Sequence, residues 1–196
     1  HVGCSLSCAD MLVFVKFGWM QQHDTLVLSK GHAAAALYSL LAEEGSLTEE
    51  DIATFYKNGT LLSAHPPINK IRGIPFATGS LGHGLSLCAG MALGARLKKE
   101  QRDFFCITSD GELDEGSVWE AALFIAQMNL NNIVWLIDRN EIQGIGRTED
   151  VMKLEPVDAK LRAFGFFVAT ADGHEFASLA AAKTMCGEQN LPSAII

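Results

Sequence analysis

Short runs of consecutive apolar residues alternate with segments of helical periodicity through the second half of the chain. The apolar runs predict strands at residues 104–108, 133–137, 166–171 and 193–196, and the periodic segments predict helices at residues 118–128, 158–164 and 175–186. Apolar strands with helices between them are typical of parallel sheets covered on both faces. We therefore expect an α/β fold with a doubly wound, mostly parallel sheet and helices on both faces.

The first half of the chain begins with helical patterns. Apolar residues recur at helical spacing over residues 6–20, and a second helix is predicted at residues 33–44. Thr48 is a suitable N-cap for a third helix, because Asp51 stands at the capping-box position. These patterns place helices before any of the predicted strands.

A long irregular segment follows. Residues 56–77 lack periodicity and contain several Gly and Pro residues, which predicts a loop. Loops of this length in compact domains are often functional. The Gly-rich segment 79–84 comes next and opens a helix that we expect to end near Lys99.

Size and composition indicate one globular domain over residues 1–196. The chain has 196 residues, of which 48% are hydrophobic and 19% charged, so it can bury a core. It begins at His1 without a methionine and stops in the apolar run 193–196, so we expect a domain cut at both ends. The formal net charge of −8 argues against nucleic acids and anionic membrane surfaces as main partners.

The cysteines indicate a reducing compartment. Their number is odd and no Cys-x-x-Cys spacing occurs, which favours reduced thiols over disulfides. The five are Cys4, Cys8, Cys88, Cys106 and Cys186. No signal peptide is visible, and no apolar run reaches the roughly 18–20 residues that cross a bilayer. We therefore expect a cytoplasmic protein that does not enter the membrane.

Two predicted strands end in distinctive polar residues. Asp110 follows the first strand of the second half and Asn140 follows the next, 30 positions later. Ligands of open α/β sheets bind beyond the carboxyl ends of the strands, so both side chains should lie at the same edge. Carboxylate, amide and carbonyl oxygens suit Mg²⁺ or Ca²⁺, and Gly111 would let a phosphate approach its N–H closely. A helix starting near Glu115 would direct its positive end to the same place. The pattern predicts a metal-bound diphosphate.

Each of these residues, taken singly, also fits a purely structural role. Asp110 alone could cap a helix, and Asn140 alone could fill a turn. A nicotinamide site suits this fold class, but the Gly-rich segments 79–84 and 144–146 do not fit G-x-G-x-x-G, and neither lies between a strand and a helix. A P-loop sequence is absent, and the histidines show no zinc-ligand spacing with the cysteines.

Five motifs in order resemble the thiamine-diphosphate-binding region of transketolases. The two most specific are residues 109–122, SDGELDEGSVWEAA, and residues 137–144, IDRNEIQG. The other three are LSKGH at residues 28–32, AHP at 64–66 and ATGSLGHG at 77–84. The match spans essentially the whole chain and is closest to the separate N-terminal subunits of split bacterial transketolases. It implies the diphosphate-binding (PP-type) domain of the thiamine-diphosphate fold.

The resemblance assigns the cofactor site residue by residue. Asp110 and Asn140 would bind Mg²⁺ through their side chains and Ile142 through its carbonyl oxygen, with Ca²⁺ as an alternative ion. Gly111 would donate its N–H to the diphosphate, and Glu112 belongs to the same cofactor-binding set.

Further cofactor contacts and the catalytic groups follow from the same motifs. Gly79 and Leu81 would contact the aminopyrimidine and thiazole rings. Three histidines and one glutamate would be catalytic: His32 near the diphosphate and the reacting carbon, His1 and His65 at substrate oxygens, and Glu115 at a subunit interface near the partner's activating glutamate. Imidazole can exchange protons near neutral pH, as the reaction would require.

The chain also departs from the family pattern. Ser109 stands where most relatives have Gly, and we expect cofactor binding to survive this small change. His83 replaces what is commonly Gln, which leaves its contact with the cofactor open.

The implied function is transfer of a two-carbon ketol group from a ketose to an aldose. The pyrimidine-binding domain would lie on a companion C-terminal subunit in an α₂β₂ assembly, or on a longer chain that forms a homodimer. A specialised ketol transferase of sugar biosynthesis or a deoxyxylulose-phosphate-type synthase would use the same cofactor. A non-catalytic module that kept the fold is a further alternative, disfavoured by the intact set of Asp110, Asn140, Glu115 and the three histidines.

Overall fold

The computed structural model describes residues 1–68 and 71–196 and has a five-stranded parallel sheet at its centre. The strands are, in chain order, β1 Thr25–Leu28, β2 Phe104–Ser109, β3 Ile133–Asp138, β4 Ile142–Gln143, β5 Gly146–Arg147, β6 Phe167–Ala169 and β7 Ser193–Ile195. The spatial order is β1-β2-β3-β7-β6, and every neighbouring pair in it is parallel. Strands β4 and β5 form a separate antiparallel hairpin. The predicted parallel sheet is confirmed.

Helices surround the sheet. The α-helices are α1 Val2–Val13, α2 Ala34–Glu43, α3 Glu49–Ala53, α4 Gly84–Leu97, α5 Gly116–Gln127, α6 Thr148–Val151, α7 Val157–Phe164 and α8 Phe176–Gly187. Shorter turns are a π-helix at Phe14–Trp19 and 3₁₀ helices at Gly31–Ala33 and Gly111–Asp114. The predicted capping box of α3 is present, since Thr48 and Asp51 exchange side-chain-to-backbone hydrogen bonds.

The sequence missed three small elements. Strand β1 is only four residues long, the β4–β5 hairpin has two residues in each strand, and α6 has a single turn. Such short segments carry too few residues for a period to be recognised. The predicted loop 56–77 contains no helix or strand in its described part; residues 69 and 70 lie outside the described residues.

Two hydrophobic clusters cover the two faces of the sheet. Phe105, Ile107 and Leu136 face one cluster with α1 and α2, whereas Phe104 and Cys106 face the other with α4, α5 and α7. Neighbouring residues of a strand point to opposite faces, so a strand buried on both sides must be apolar throughout. The helices on both faces confirm the doubly wound arrangement.

The first helix corrects one expectation from the sequence. The continuous helix Val2–Trp19 has 18 residues with a mean hydropathy of 1.3, which is long and apolar enough to cross a membrane by length and composition alone. The sequence interpretation counted uninterrupted apolar runs, whereas this segment contains Asp10 and Lys16. One face of the helix, with Cys8, Met11 and Leu12, packs in the hydrophobic core.

Candidate functional site

Asp110 and Asn140 lie at the same edge of the sheet, as their positions after neighbouring strands predict. Strands β2 and β3 are in register to their last residues, where Ser109 pairs with Asp138. The Asp110 N–H donates to the Asp138 carbonyl at 3.1 Å, which ties the two strand ends together. Asp110 is buried and Asn140 half-buried. The carboxyl edge of the sheet therefore presents an acid and an amide side by side.

The Asp110 carboxylate is held by three donors. Its Oδ1 accepts from the Gly111 N–H at 2.8 Å. Its Oδ2 accepts from the Glu141 N–H and from the Thr148 hydroxyl, both at 2.8 Å. The Gly111 N–H is thus occupied by Asp110, because the chain turns directly into a 3₁₀ helix after β2 and α5 begins only at Gly116. The role of Gly111 as a diphosphate donor stays a prediction.

A buried ion pair lies behind Asn140. Lys30 is fully buried and pairs with the carboxylate of Asp138. The Ser7 hydroxyl donates to Asp138 Oδ1 at 2.8 Å, and the Asn140 amide donates to Ser7 Oγ at 3.3 Å. The Asn140 Oδ1 accepts from the Ile142 N–H at 3.0 Å. This network fixes which end of the Asn140 amide carries the oxygen.

Three predicted catalytic histidines come from separate segments that meet at this edge. The rings of His1 and His32 have centroids 5.5 Å apart. A Cβ placed on Gly79 would lie 3.2 Å from the His65 ring, so these two residues are in contact. Burial lowers the pKa of His32 below 6.5, and the nearby charges of Lys30 and His65 lower it further. A neutral imidazole at neutral pH can accept a proton.

The turn before His32 packs directly against the Gly-rich segment. A Cβ on Gly31 would lie 2.7 Å from the backbone carbon and oxygen of Thr78, which is too close for any side chain. Gly31 is therefore the residue that lets the two segments touch. The LSKGH and ATGSLGHG motifs form one surface.

Glu112 has surroundings that the sequence interpretation did not anticipate. Its side chain is fully buried, and Oε1 accepts from Ser29 Oγ and, at 2.8 Å, from the Gly82 N–H. Burial raises the pKa of this carboxyl. The carboxyl group points inward and links β1 to the Gly-rich segment. Its assignment as a cofactor contact stays a prediction.

The remaining predicted residues are more exposed. Glu115 is exposed at the N-terminus of α5 and lies close to Gly82. Gly82 has φ +87°, and a Cβ added to it would lie 2.7 Å from the Cβ of Glu115, so no side chain fits there. Leu81 is half-buried in the turn before Gly82, and Ile142 is 69% exposed on the β4–β5 hairpin. The structure brings all these positions to the carboxyl edge of the sheet.

The donor set fits a hard divalent cation. Asp110 offers a carboxylate, Asn140 an amide oxygen and Ile142 a backbone carbonyl, all on two adjoining loops, and oxygen donors of this kind suit Mg²⁺ and Ca²⁺. Across residues 1–68 and 71–196, no group of three or more His, Cys, Asp or Glu side chains is placed to hold a metal ion. A site at this edge would thus depend on the amide, the carbonyl and a ligand's phosphates.

Comparison with known proteins identifies the family. Residues 15–196 match the family model described as the transketolase thiamine-diphosphate-binding domain. The chain belongs to the transketolase family. This family membership makes it part of a transferase, and the expected thiamine-diphosphate-binding fold is confirmed.

The transketolase relatives include named subunits. The chain is 38% identical to the 6-deoxy-6-sulfo-D-fructose transketolase subunit SqwG of Clostridium sp. (strain MSTE9), over 100% of this chain and 75% of the relative. It is 36% identical to a subunit of the apulose-4-phosphate transketolase of Actinobacillus succinogenes, over 91% of this chain and 68% of the relative. The chain thus spans about two thirds to three quarters of these subunits.

Solved transketolase structures have the same fold. The transketolase of Campylobacter jejuni superposes with a TM-score of 0.84 at 31% identity, over 88% of this chain and 28% of that one. A transketolase variant from Pichia stipitis gives a TM-score of 0.87 at 29% identity, over 97% of this chain and 31% of that one. This chain corresponds to less than one third of those transketolases.

Sequence reasoning assigned no role to several residues that hold the carboxyl edge of the sheet together. These are Ser7, Ser29, Lys30, Asp138 and Thr148. Lys30 and Asp138 carried a usable signal, because each is a charge beside a buried apolar strand, where an unpaired charge is costly. Ser7 and Thr148 carried none, since a hydroxyl residue suits a helix or a turn surface equally well.

Proposed function

We propose that this chain binds thiamine diphosphate with Mg²⁺ and transfers a two-carbon ketol group from a ketose to an aldose. One observation carries the proposal: segments around residues 1, 32, 65, 79–84, 110–115 and 140–142 meet at the carboxyl edge of one sheet. Parallel α/β sheets bind their ligands at this edge. The convergence supports a single active site that includes the predicted metal ligands and histidines.

In this proposal the metal is held by Asp110, Asn140 and Ile142. The cation would neutralise the diphosphate, which explains how a chain of net charge −8 can bind an anionic cofactor. Thiamine diphosphate supplies the carbanion chemistry when it is bound. The chain supplies orientation: Gly79 and Leu81 at the rings, and Gly111 and Glu112 at the turn beside the diphosphate.

The histidines would exchange protons with the sugars. His32 is half-buried and neutral near pH 7, so it can accept a proton from a donor hydroxyl. His1 lies against the His32 ring, and exposed His65 borders Gly79, so both would contact substrate oxygens. Glu115 is exposed beside Gly82, where a partner surface could reach it.

The active assembly would include a pyrimidine-binding domain. We propose that residues 1–196 form one diphosphate-binding domain and that the pyrimidine domain lies on a companion C-terminal subunit, giving α₂β₂, or on a longer chain that dimerises. The relatives named as subunits support the split form. A cytoplasmic location agrees with the five free cysteines.

A specialised ketol transferase is the second candidate function. The Clostridium and Actinobacillus relatives are named for two different sugars, 6-deoxy-6-sulfo-D-fructose and apulose 4-phosphate, and these names support the second candidate. The same metal and histidine groups would serve such substrates. A deoxyxylulose-phosphate-type synthase has no comparable support among these relatives.

Calorimetry on the assembled enzyme tests the cofactor site. Asn140→Ala should abolish Mg²⁺-dependent thiamine-diphosphate binding, because it removes the amide oxygen. Asn132→Ala is the matched control, since Asn132 lies at the opposite edge, just before β3. Normal affinity in Asn140→Ala would refute the metal assignment.

Activity that requires both this chain and a pyrimidine-domain partner would support the split assembly, and full activity of this chain alone would refute it.

A further inference from the structure

Thr148 lies outside the motifs that suggested the cofactor site, yet it contacts Asp110 directly. Its side chain is buried, and its hydroxyl donates to Asp110 Oδ2 at 2.8 Å. The residue begins α6, immediately after the β4–β5 hairpin. A buried hydroxyl aimed at a carboxylate is a charge-assisted hydrogen bond, which is among the stronger kinds in proteins.

The hydrogen bonds at Asp110 are distributed unevenly between its two oxygens. Oδ2 accepts two, from Thr148 and from the Glu141 N–H, whereas Oδ1 accepts one, from the Gly111 N–H. A carboxylate oxygen offers about two lone-pair positions. Oδ2 is therefore saturated by protein donors, and Oδ1 keeps the position available to a cation.

Thr148 also fixes the hairpin that carries another predicted ligand. Its N–H donates to the Glu141 carbonyl at 3.0 Å, while the Glu141 N–H donates to Asp110. Thr148, Glu141 and Asp110 thus form a closed ring of three hydrogen bonds. Glu141 has φ +63°, a left-handed conformation that costs a non-glycine residue about 1 kcal/mol and needs such restraint. Ile142 follows directly, so the ring sets the position of its carbonyl.

We propose that Thr148 is a positioning residue that orients Asp110 and the Ile142 carbonyl for the divalent cation. This inference rests on the proposed metal-dependent cofactor site. Removing the hydroxyl would leave the Glu141 N–H as the one remaining protein donor to Oδ2, which would allow the carboxylate to rotate and loosen the turn at Glu141. The cation would then bind to a less ordered set of oxygens, and the cofactor would need more metal to bind.

The test compares two buried threonines in the assembled enzyme. Thr148→Val removes the hydroxyl while keeping the side-chain shape, and Thr148→Ser keeps a hydroxyl. Thr108→Val is the matched control: Thr108 is also buried, but the hydrogen bond of its hydroxyl is with the Trp135 indole, from which it accepts at 2.8 Å. Calorimetry gives the Mg²⁺ concentration for half-maximal thiamine-diphosphate binding, electron paramagnetic resonance gives Mn²⁺ affinity, and thermal unfolding reports on stability.

Thr148→Val should raise the required Mg²⁺ concentration about 10- to 100-fold, as is typical for residues that orient metal ligands. Thr148→Ser should restore most of the metal affinity, and Thr108→Val should lower only the unfolding temperature. If Thr148→Val does not fold, Thr148→Ala replaces it. A wild-type metal requirement in the hydroxyl-deleted variant, or no rescue by serine, would overturn the inference alone. Cofactor binding by the wild-type enzyme without any metal would overturn the proposed site and the inference together.

Discussion

Buried polar and charged residues are distributed unevenly between the two edges of the central sheet. Of the nine buried polar or charged residues in the described part of the chain, only Ser193 lies at the amino edge. The other eight lie at or just beyond the carboxyl ends of β1, β2 and β3: Ser29, Lys30, Thr108, Ser109, Asp110, Glu112, Asp138 and Thr148. At the amino edge, charged side chains such as Asp103 remain exposed.

The uneven distribution of buried charge is better explained by function than by stability. Burying a charge is costly unless partners satisfy it, and replacing a buried ion pair by apolar residues is often neutral or stabilising. A chain selected only for stability would gain little from Lys30 and Asp138 in its interior. Concentration of buried charge at one edge is typical of an active site, where such groups orient ligands and shift pKa values.

The largest expected effect comes from the buried ion pair. Lys30→Met should lower the free energy of unfolding by about 3–5 kcal/mol, because it leaves the Asp138 carboxylate buried without its cation. Lys16→Met is the control near the amino edge, where the partly exposed Lys16–Glu44 pair should contribute only about 0–1 kcal/mol. Urea denaturation measures both. Equal losses for the two variants would remove the distinction between the edges.

The histidines proposed to be catalytic give the second largest expected effect. His65→Ala should reduce kcat/KM by about 100-fold while leaving thiamine-diphosphate affinity unchanged, because the group would exchange protons with the sugar rather than bind the cofactor. His23→Ala is the matched control, since exposed His23 lies beside the amino end of β1. Steady-state rates and calorimetry test both variants. An unchanged rate for His65→Ala would exclude this residue from the substrate pocket.

The sequence predicted the strands and the polar residues that follow them, but not the side-chain pairs that form between distant segments. Strands β2 and β3 begin with apolar runs at residues 104–107 and 133–137, so their pairing and the position of Asp110 and Asn140 follow from pattern alone. The motifs pointed to segments that the structure brings together at the carboxyl edge, and their roles in binding and catalysis stay predictions. The pairing of Lys30 with Asp138, and of Thr148 with Asp110, joins positions 108 and 38 residues apart. Such pairs are set by tertiary packing, which local patterns do not encode.

Glu112 should have a smaller effect on stability than Lys30. Glu112→Ala leaves the Ser29 hydroxyl and the Gly82 N–H without their acceptor inside the protein, which should cost about 1–3 kcal/mol. Glu112→Gln keeps an oxygen acceptor and should lose less. Asp103→Ala is the control at the amino edge. Urea denaturation should show the largest loss in unfolding free energy for Glu112→Ala, a smaller loss for Glu112→Gln and the smallest for Asp103→Ala. An unchanged unfolding free energy in Glu112→Ala would show that the carboxyl group does not hold the Gly-rich segment.

The smallest expected effect is the pH dependence of two histidines. Burial lowers the pKa of His32, so the unfolded chain binds a proton more readily than the folded one as pH falls below about 6.5, and folding stability is lost there. The hydrogen bond to Asp10 raises the pKa of His174, so this contribution is fully present below about 6.5 and is lost as pH rises through the folded pKa.

Urea denaturation between pH 5 and pH 8 can separate these opposite contributions. His32→Gln should reduce the acid-induced loss of stability, whereas His174→Gln should increase it. The effect of His174 should be slight, because the pair with Asp10 is largely exposed and therefore screened by solvent. The test compares each variant's dependence of unfolding free energy on pH with that of the wild type. If both substitutions changed this slope in the same direction, the assignment of His32 as the neutral, partly buried imidazole at the carboxyl edge would be contradicted.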